Sequence, residues 1–319
     1  MIRVFVIALL TCSTLVSHAA PPAQPARISR NWTSSDGRAV QGELIEASEK
    51  EIKIKLATNF QIVKIPLEKL SADDIKFVNE LVNKQNLDAS LKVGPYADKV
   101  TGQFVKATSA KGLLYQFMGN PSWDNTQRYP LLIWLHGAGQ SGNDNEAQAA
   151  GAPKPLFTAE SQAKHPCFVL MPQCPDRAIG WKAEVADNLM ALIADMVAKL
   201  PIDPNRIYLT GSSMGGSGTW TIIAKWPNVF AAAVPLCGGA DLKTAEAIKN
   251  VPIWVFHGDK DDQVPTDRSR TMVAALKAVN ANVQYTELAG EGHLITGVVY
   301  PKPELHEWLF QQKKTDTPK

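Results

Sequence analysis

One stretch constrains this chain more than any other. An apolar run, Ile207-Tyr208-Leu209, meets Gly211-Ser212-Ser213-Met214-Gly215, and a helix-compatible segment follows through Trp220. Strand, sharp turn and helix in that order form a nucleophile elbow, which holds a serine on a strained corner with its Oγ outward. The flanking residues must lack Cβ atoms so that strand and helix can approach closely. Register selects Ser213. Ser212 would need glycines where Thr210 and Met214 stand, and Ser217 has no strand before it. Such a string also fits an ordinary Gly/Ser-rich loop, so its surroundings decide.

Those surroundings alternate apolar strands with helical segments. Strands are expected near Leu113–Phe117, Leu131–Leu135, Phe168–Met171, Ile207–Leu209, Ala231–Leu236, Ile253–Phe256 and Val283–Glu287. Helices are expected near Ala186–Leu200, Gly216–Trp226, Asp267–Val279 and Glu304–Gln311. Continuous apolar strands separated by amphipathic helices predict an α/β domain, over 99–312, whose mostly parallel sheet is covered on both faces.

A serine hydroxyl is a weak nucleophile at neutral pH and needs a base, which needs an orienting acid. In this fold class both follow the serine, acid before histidine. His257, His293 and His306 follow Ser213. His306 falls in an expected helix, and His257 ends a strand ahead of every acid in its loop. His293, in Ala289-Gly290-Glu291-Gly292-His293 after the last strand, is the candidate base. The acid belongs in His257-Gly258-Asp259-Lys260-Asp261-Asp262-Gln263-Val264-Pro265. Counting back from Val264-Pro265 favours Asp261, with Asp259 and Asp262 read as loop or capping carboxylates.

The strand Leu131–Leu135 runs into His136-Gly137-Ala138-Gly139, a turn whose backbone N–H groups could hold an oxyanion. Ala138 or Gly137 would supply one donor and Met214 the other. His136 is read mainly as a buttress of this loop, with a place near the substrate also assigned to it and to Trp181. For Trp220, core packing is at least as good a reading. No lysine stands where a phosphate-binding loop would need one, and no metal-ligand spacing or cofactor motif is evident, so neither metal nor cofactor is expected.

The first residues, Met1-Ile2-Arg3, an apolar run from Val4 to Leu10 and Ser17-His18-Ala19, have the layout of a secretory signal peptide covering 1–19. The apolar core, broken by Thr11-Cys12-Ser13-Thr14, is shorter than the ~20 residues a membrane span needs. A secreted or periplasmic protein with no membrane span in the mature chain is expected. The 33 basic and 31 acidic residues are interspersed, giving a net charge of +2 that favours no nucleic acid or anionic surface. Of Cys167, Cys174 and Cys237, the first two flank a strand that would hold them beyond the ~7 Å limit for a disulfide. Pairing of Cys237 with either stays open.

After a Pro/Ala-rich linker over 20–30, the alternation of Ile52, Ile54 and Leu56 with Lys53 and Lys55 describes short antiparallel strands, here a small β domain over 31–83. Ser71-Ala72-Asp73-Asp74 then offers a helix start, with Ile75, Val78, Leu81 and Val82 at helical spacing. A polar linker over 84–98 and a polar tail over 313–319 complete the chain. Arg30-Asn31-Trp32-Thr33, Asp36-Gly37 and Ile65-Pro66-Leu67-Glu68-Lys69-Leu70-Ser71 resemble the SH3-like module of an endocytic adaptor. That resemblance implies a small barrel and a peptide ligand, beside the plainer reading of a spacer.

From Tyr129 to Gln312 the chain resembles secreted α/β-hydrolase esterases of the phospholipase/carboxylesterase and polyhydroxybutyrate depolymerase-like group, often labelled prolyl oligopeptidase-family hydrolases. The matching residues are His136-Gly137-Ala138-Gly139, Pro172-Gln173-Cys174-Pro175, the elbow ending Gly218-Thr219-Trp220, Val234-Pro235-Leu236-Cys237-Gly238-Gly239 and the aspartate loop. Leu294-Ile295-Thr296 after His293 departs from that pattern, where a small polar residue and then tryptophan are usual. The resemblance implies hydrolysis of an ester, polysaccharide- or polymer-linked among the options, through an acyl-enzyme. A peptidase with the same triad is the alternative, although the ~90 residues ahead of the catalytic domain cannot build the propeller of the large oligopeptidases. A binding protein working through its small domain is a third reading.

Overall fold

The computed structural model describes residues 28–92, 94–123 and 127–314, side chains of 83–92 apart. The expected leader over 1–19 therefore lies outside the described residues. The chain divides into one unit up to Val82 and a second from Asn83. Among the described residues no helix is long and apolar enough to cross a membrane.

The first unit is a four-stranded antiparallel sheet in sequence order: β1 (Ser29–Thr33), β2 (Ala39–Ala47), β3 (Glu51–Leu56) and β4 (Ile62–Pro66). Alternation decides its inner face. Ile52 and Ile54 are fully buried with Trp32, while Lys53 and Lys55, which alternate with them, lie on the other face. Helix α1 (Ala72–Lys92) begins where expected and closes this core with Val78 and Val82. Its buried Asp74 accepts the Thr33 amide at 2.7 Å and pairs with Arg30 at 2.8 Å, which joins the helix start to β1. The helix continues to Lys92, into the segment expected as a polar linker over 84–98.

The second unit is built on eight strands: β5 (Val105–Thr108), β6 (Leu114–Met118), β7 (Tyr129–Leu135), β8 (Phe168–Pro172), β9 (Ile202–Ser212), β10 (Ala232–Leu236), β11 (Ile253–Gly258) and β12 (Val283–Leu288). They lie in the order β12-β11-β10-β9-β7-β8-β6-β5. From β12 to β8 all neighbours are parallel, and β6 and β5 add antiparallel at one edge. Helices α2 (Ala159–Lys164), α3 (Ala183–Lys199), α4 (Met214–Lys225), α5 (Ala245–Ile248), α6 (Asp267–Ala278), α7 (Thr296–Val299) and α8 (Pro303–Gln311) join or follow the strands.

Two cores explain why the central strands are apolar throughout. Leu131, Ile133, Leu135 and Leu209 pack on one face with α3, α4 and α6, through Leu189, Leu192, Ile223 and Met272. Leu132, Trp134, Val169 and Tyr208 pack on the other with α7 and α8, through Val299, Leu305 and Leu309. A strand buried on both faces cannot alternate apolar with polar residues. Its carboxyl end is then the natural place for polar chemistry, because there the chain leaves the sandwich.

Candidate active site

The site is built at the carboxyl ends of β7, β9, β10 and β11. Register aligns Ser212, Leu236 and Phe256 across β9, β10 and β11, so Ser213, Cys237 and His257 form the next row. Ser213 adopts φ 59° and ψ −117°, a conformation seldom taken by a residue with a side chain, and α4 begins at the next residue. Its amide donates to Leu236 O at 2.9 Å, which fastens the corner to β10. The glycines beside it carry the close approach. A Cβ on Gly215 would stand 1.9 Å from Leu135 O, and one on Gly216 would stand 2.2 Å from Leu236 O. Only glycine lets the first turn of α4 sit directly on the ends of β7 and β10.

The loop after β7 lies alongside. A Cβ on Gly137 would stand 3.6 Å from the Ser213 Cβ, which brings the Gly137-Ala138 backbone next to the serine. Met214 opens α4, where the first N–H groups have no partner within the helix and favour negative charge. Both segments expected to hold an oxyanion thus border Ser213.

The string Pro172-Gln173-Cys174 explains how the loop is held. His136 is fully buried, accepts the Cys174 amide at Nε2 over 2.9 Å and donates from Nδ1 to Gly137 O at 2.7 Å. Burial pushes its imidazole down to about 4, against the Gly137 carbonyl, which favours the charged ring. The buried Gln173 accepts the Asn145 amide at 2.7 Å and donates to Asp144 at 2.8 Å and to Gln140 O at 3.2 Å, so the residue directly after β8 clamps the segment from Gln140 to Asn145. His136 therefore does not take the place near the substrate assigned to it, because it has no exposed surface. Trp181 is also buried, donates to His136 O at 3.0 Å and meets the His136 ring edge-on. Its chief role is to back the loop, although it borders a cleft of about 190 Å³ together with Met214, Ser217 and Gly218. Trp220 packs into the core.

His293 and Asp261 come together at a hydrogen bond of 2.7 Å between Nδ1 and Oδ2. His293 is 7% exposed and the Asp261 carboxylate is fully covered. The Asp261 Oδ1 accepts the amides of Gln263 at 2.9 Å and Val264 at 2.8 Å. Burial pushes this carboxyl up, but the Val264 amide, His293 and the Gln263 amide outweigh it and hold the group at about 2. An ionised Asp261 leaves the proton of His293 on Nδ1, so Nε2 is the free basic nitrogen. Asp259 instead accepts the Gly290 amide at 2.7 Å, bridging the two loops. His306 binds Tyr300 O from α8.

Two contributors escape sequence reasoning. His257 is buried beside Asp261, at 3.1 Å from its Oδ2. Cys237, at φ 48°, places its thiol, Asp261 and His293 with one donor atom each within 4.8 Å of one another. These three are the donor set that could approach a metal among the described residues, yet Asp261 and His293 already engage each other. Cys167, Cys174 and Cys237 are all free and buried.

A model of the dienelactone hydrolase family matches residues 176–296. A crystal structure of a thermostable esterase superposes with a TM-score of 0.63 at 34% identity, over 66% of this chain and 63% of that one. The chain is a carboxylesterase-type hydrolase. Its second unit has the α/β-hydrolase fold. A probable carboxylesterase of Arabidopsis thaliana is 24% identical over 213 residues, 59% of this chain and 80% of that protein. The poly(3-hydroxyalkanoate) depolymerase C of Paucimonas lemoignei is 30% identical over 124 residues, 34% of this chain. The hydrolase spans only 28% of that depolymerase.

Proposed function

We propose that this hydrolase cleaves carboxylic esters with Ser213 as nucleophile, His293 as base and Asp261 as orienting acid, and that it acts after export on bulky or polymer-linked esters. The observation that carries the reading is the 2.7 Å contact of His293 Nδ1 with Asp261, at the row of strand ends that also bears the strained Ser213. Ser213 Oγ attacks the ester carbonyl carbon while His293 Nε2 takes its proton. The carbonyl oxygen becomes negative between the amides of Met214 and Ala138 or Gly137. Collapse expels the alcohol, which receives the proton from His293, and leaves an acyl-serine. Water, deprotonated by the same nitrogen, then releases the acid and restores Ser213. The reading needs no metal.

Support for a bulky substrate comes from the connection between β10 and β11. It holds a short 3₁₀ turn (Leu242–Thr244) and α5, with no inserted lid. Export rests on the leader-like residues 1–19, and the small unit is read as an SH3-like module that serves as a spacer or binds a peptide. Esterase rather than peptidase activity is favoured by the carboxylesterase relatives. Ser213→Ala is expected to abolish turnover of short p-nitrophenyl esters while the circular dichroism spectrum stays native. Retained turnover would move the nucleophile elsewhere, and peptide cleavage exceeding ester cleavage would favour the peptidase.

A further inference from the structure

His257 occupies a position where the rest of β11 is apolar. Ile253, Val255 and Phe256 are fully buried with it. Burying an imidazole is unfavourable unless its nitrogens are satisfied, and both are. Nε2 lies 2.9 Å from Val264 O and 3.1 Å from Asp261 Oδ2. A carbonyl oxygen only accepts, so Nε2 carries the proton and shares it between the two. In the neutral ring Nδ1 must then accept, and Ser269 Oγ lies 2.7 Å away, itself fully buried on α6. The ring's tautomer is thus set by the Val264 carbonyl, and Ser269 donates to the remaining nitrogen.

The consequence falls on Asp261. Its carboxylate accepts four N–H groups: the amides of Gln263 and Val264 on Oδ1, and His293 and His257 on Oδ2. The two amides belong to its own loop, and His293 is the group it must orient. His257 is the donor that ties the carboxylate to β11, and through Ser269 to α6. The same ring holds Val264, so it closes the loop from Gly258 to Pro265 on itself, while Thr266 Oγ1 donates to Gly258 O at 2.7 Å and fixes the far end.

We propose that His257 is a positioning residue of the reaction, made a donor by the Val264 carbonyl, anchored at its other nitrogen by Ser269, and fixing the plane of the Asp261 carboxylate so that Oδ2 faces His293. This rests on the triad reading above. It assigns to β11 and α6 a direct part in aiming the base.

The test uses the full chain carrying His257→Met, which keeps bulk and removes the donor, His257→Gln, which can return an N–H near Oδ2, Ser269→Ala, and Phe256→Leu as an equally buried control. Turnover of a short p-nitrophenyl ester and the downfield proton resonance of His293 Nδ1–H are read on each variant. In His257→Met, kcat is expected to fall about ten- to hundredfold, the loss of one hydrogen bond to a charged group, with KM within about twofold. The resonance shifts or broadens, and His257→Gln recovers much of kcat. Ser269→Ala lowers kcat about three- to tenfold in the same direction. Phe256→Leu lowers the melting temperature but leaves kcat and the resonance in place. A folded His257→Met with wild-type kcat and resonance overturns the proposal, as does a loss no larger than in Phe256→Leu. Should the methionine variant not fold, Ser269→Ala decides on the same two readouts. Asp261→Asn separates the levels: if it leaves kcat unchanged the triad reading falls and takes this proposal with it. If Asp261→Asn abolishes turnover while the His257 and Ser269 variants are inert, this proposal alone falls.

Discussion

The buried His136 predicts an acid sensitivity that can be worked out from the fold. Burial pushes its imidazole from the ordinary 6.5 to about 4, because a charged ring would be desolvated and would lose the Cys174 amide it accepts at Nε2. The native protein therefore binds this proton less readily than the unfolded chain. The stabilisation is complete above about pH 6.5, declines as the unfolded ring protonates, and is exhausted near pH 4, where the native ring also takes the proton. The gap corresponds to roughly 3 kcal/mol at about 1.36 kcal/mol per tenfold. In His136→Gln an amide oxygen can accept the Cys174 amide without titrating. Urea unfolding of both proteins at intervals from about pH 7 to about pH 4 measures the difference, with other titrating groups common to the two. Wild type is expected to lose up to about 3 kcal/mol more than the variant across that window. Parallel curves would show that His136 does not titrate as its surroundings require, and the account of the oxyanion loop would fail with it.

Two further outcomes follow from the packing. Gly215→Ala sets a Cβ 1.9 Å from Leu135 O, so either α4 or β7 must move; a loss of about 3 kcal/mol or more is expected in denaturant unfolding, and esterase activity should fall with it. Gln173→Leu removes both the acceptor for the Asn145 amide and the donor to Asp144. A cost of about 1–3 kcal/mol is expected, together with a fall in kcat as the Gln140–Asn145 segment loosens; unchanged kcat would show that the loop is held by other means.

Much of this arrangement was legible in the chain itself. β7, β8, β10 and β11 announce themselves because burial on two faces demands unbroken apolar runs. The same signal under-reads β9, which starts at Ile202 because Asp203-Pro204-Asn205 interrupt the pattern, and it misses β5, a short edge strand carrying Lys106. Its place in an amphipathic helix set His306 apart from His293, and chain order set His257 aside. Judging His257 only as a base hid its use, since nothing local shows that Ser269, on the next helix, turns back onto it. Pro172-Gln173-Cys174 carried resemblance without a reason until the loop it clamps was seen. The small unit's strands were readable from alternation, whereas the closure of a four-stranded sheet depends on long-range geometry that alternation does not encode.

The groups proposed to react hang from different parts of the sheet. Ser213 and the amides proposed beside it follow β9 and β7, whereas Asp261 and His293 follow β11 and β12, and β10 alone separates the two sets. That single ribbon is the ruler between the proposed nucleophile and base. Sliding or twisting it by a fraction of an ångström, by a substitution beneath Val234 or a ligand wedged against the outer border of β12, would detune proton transfer while every reacting side chain kept its own rotamer. The tolerance of the chemistry is therefore a property of strand pairing, and tuning this catalyst is a matter of adjusting the loom as much as the thread.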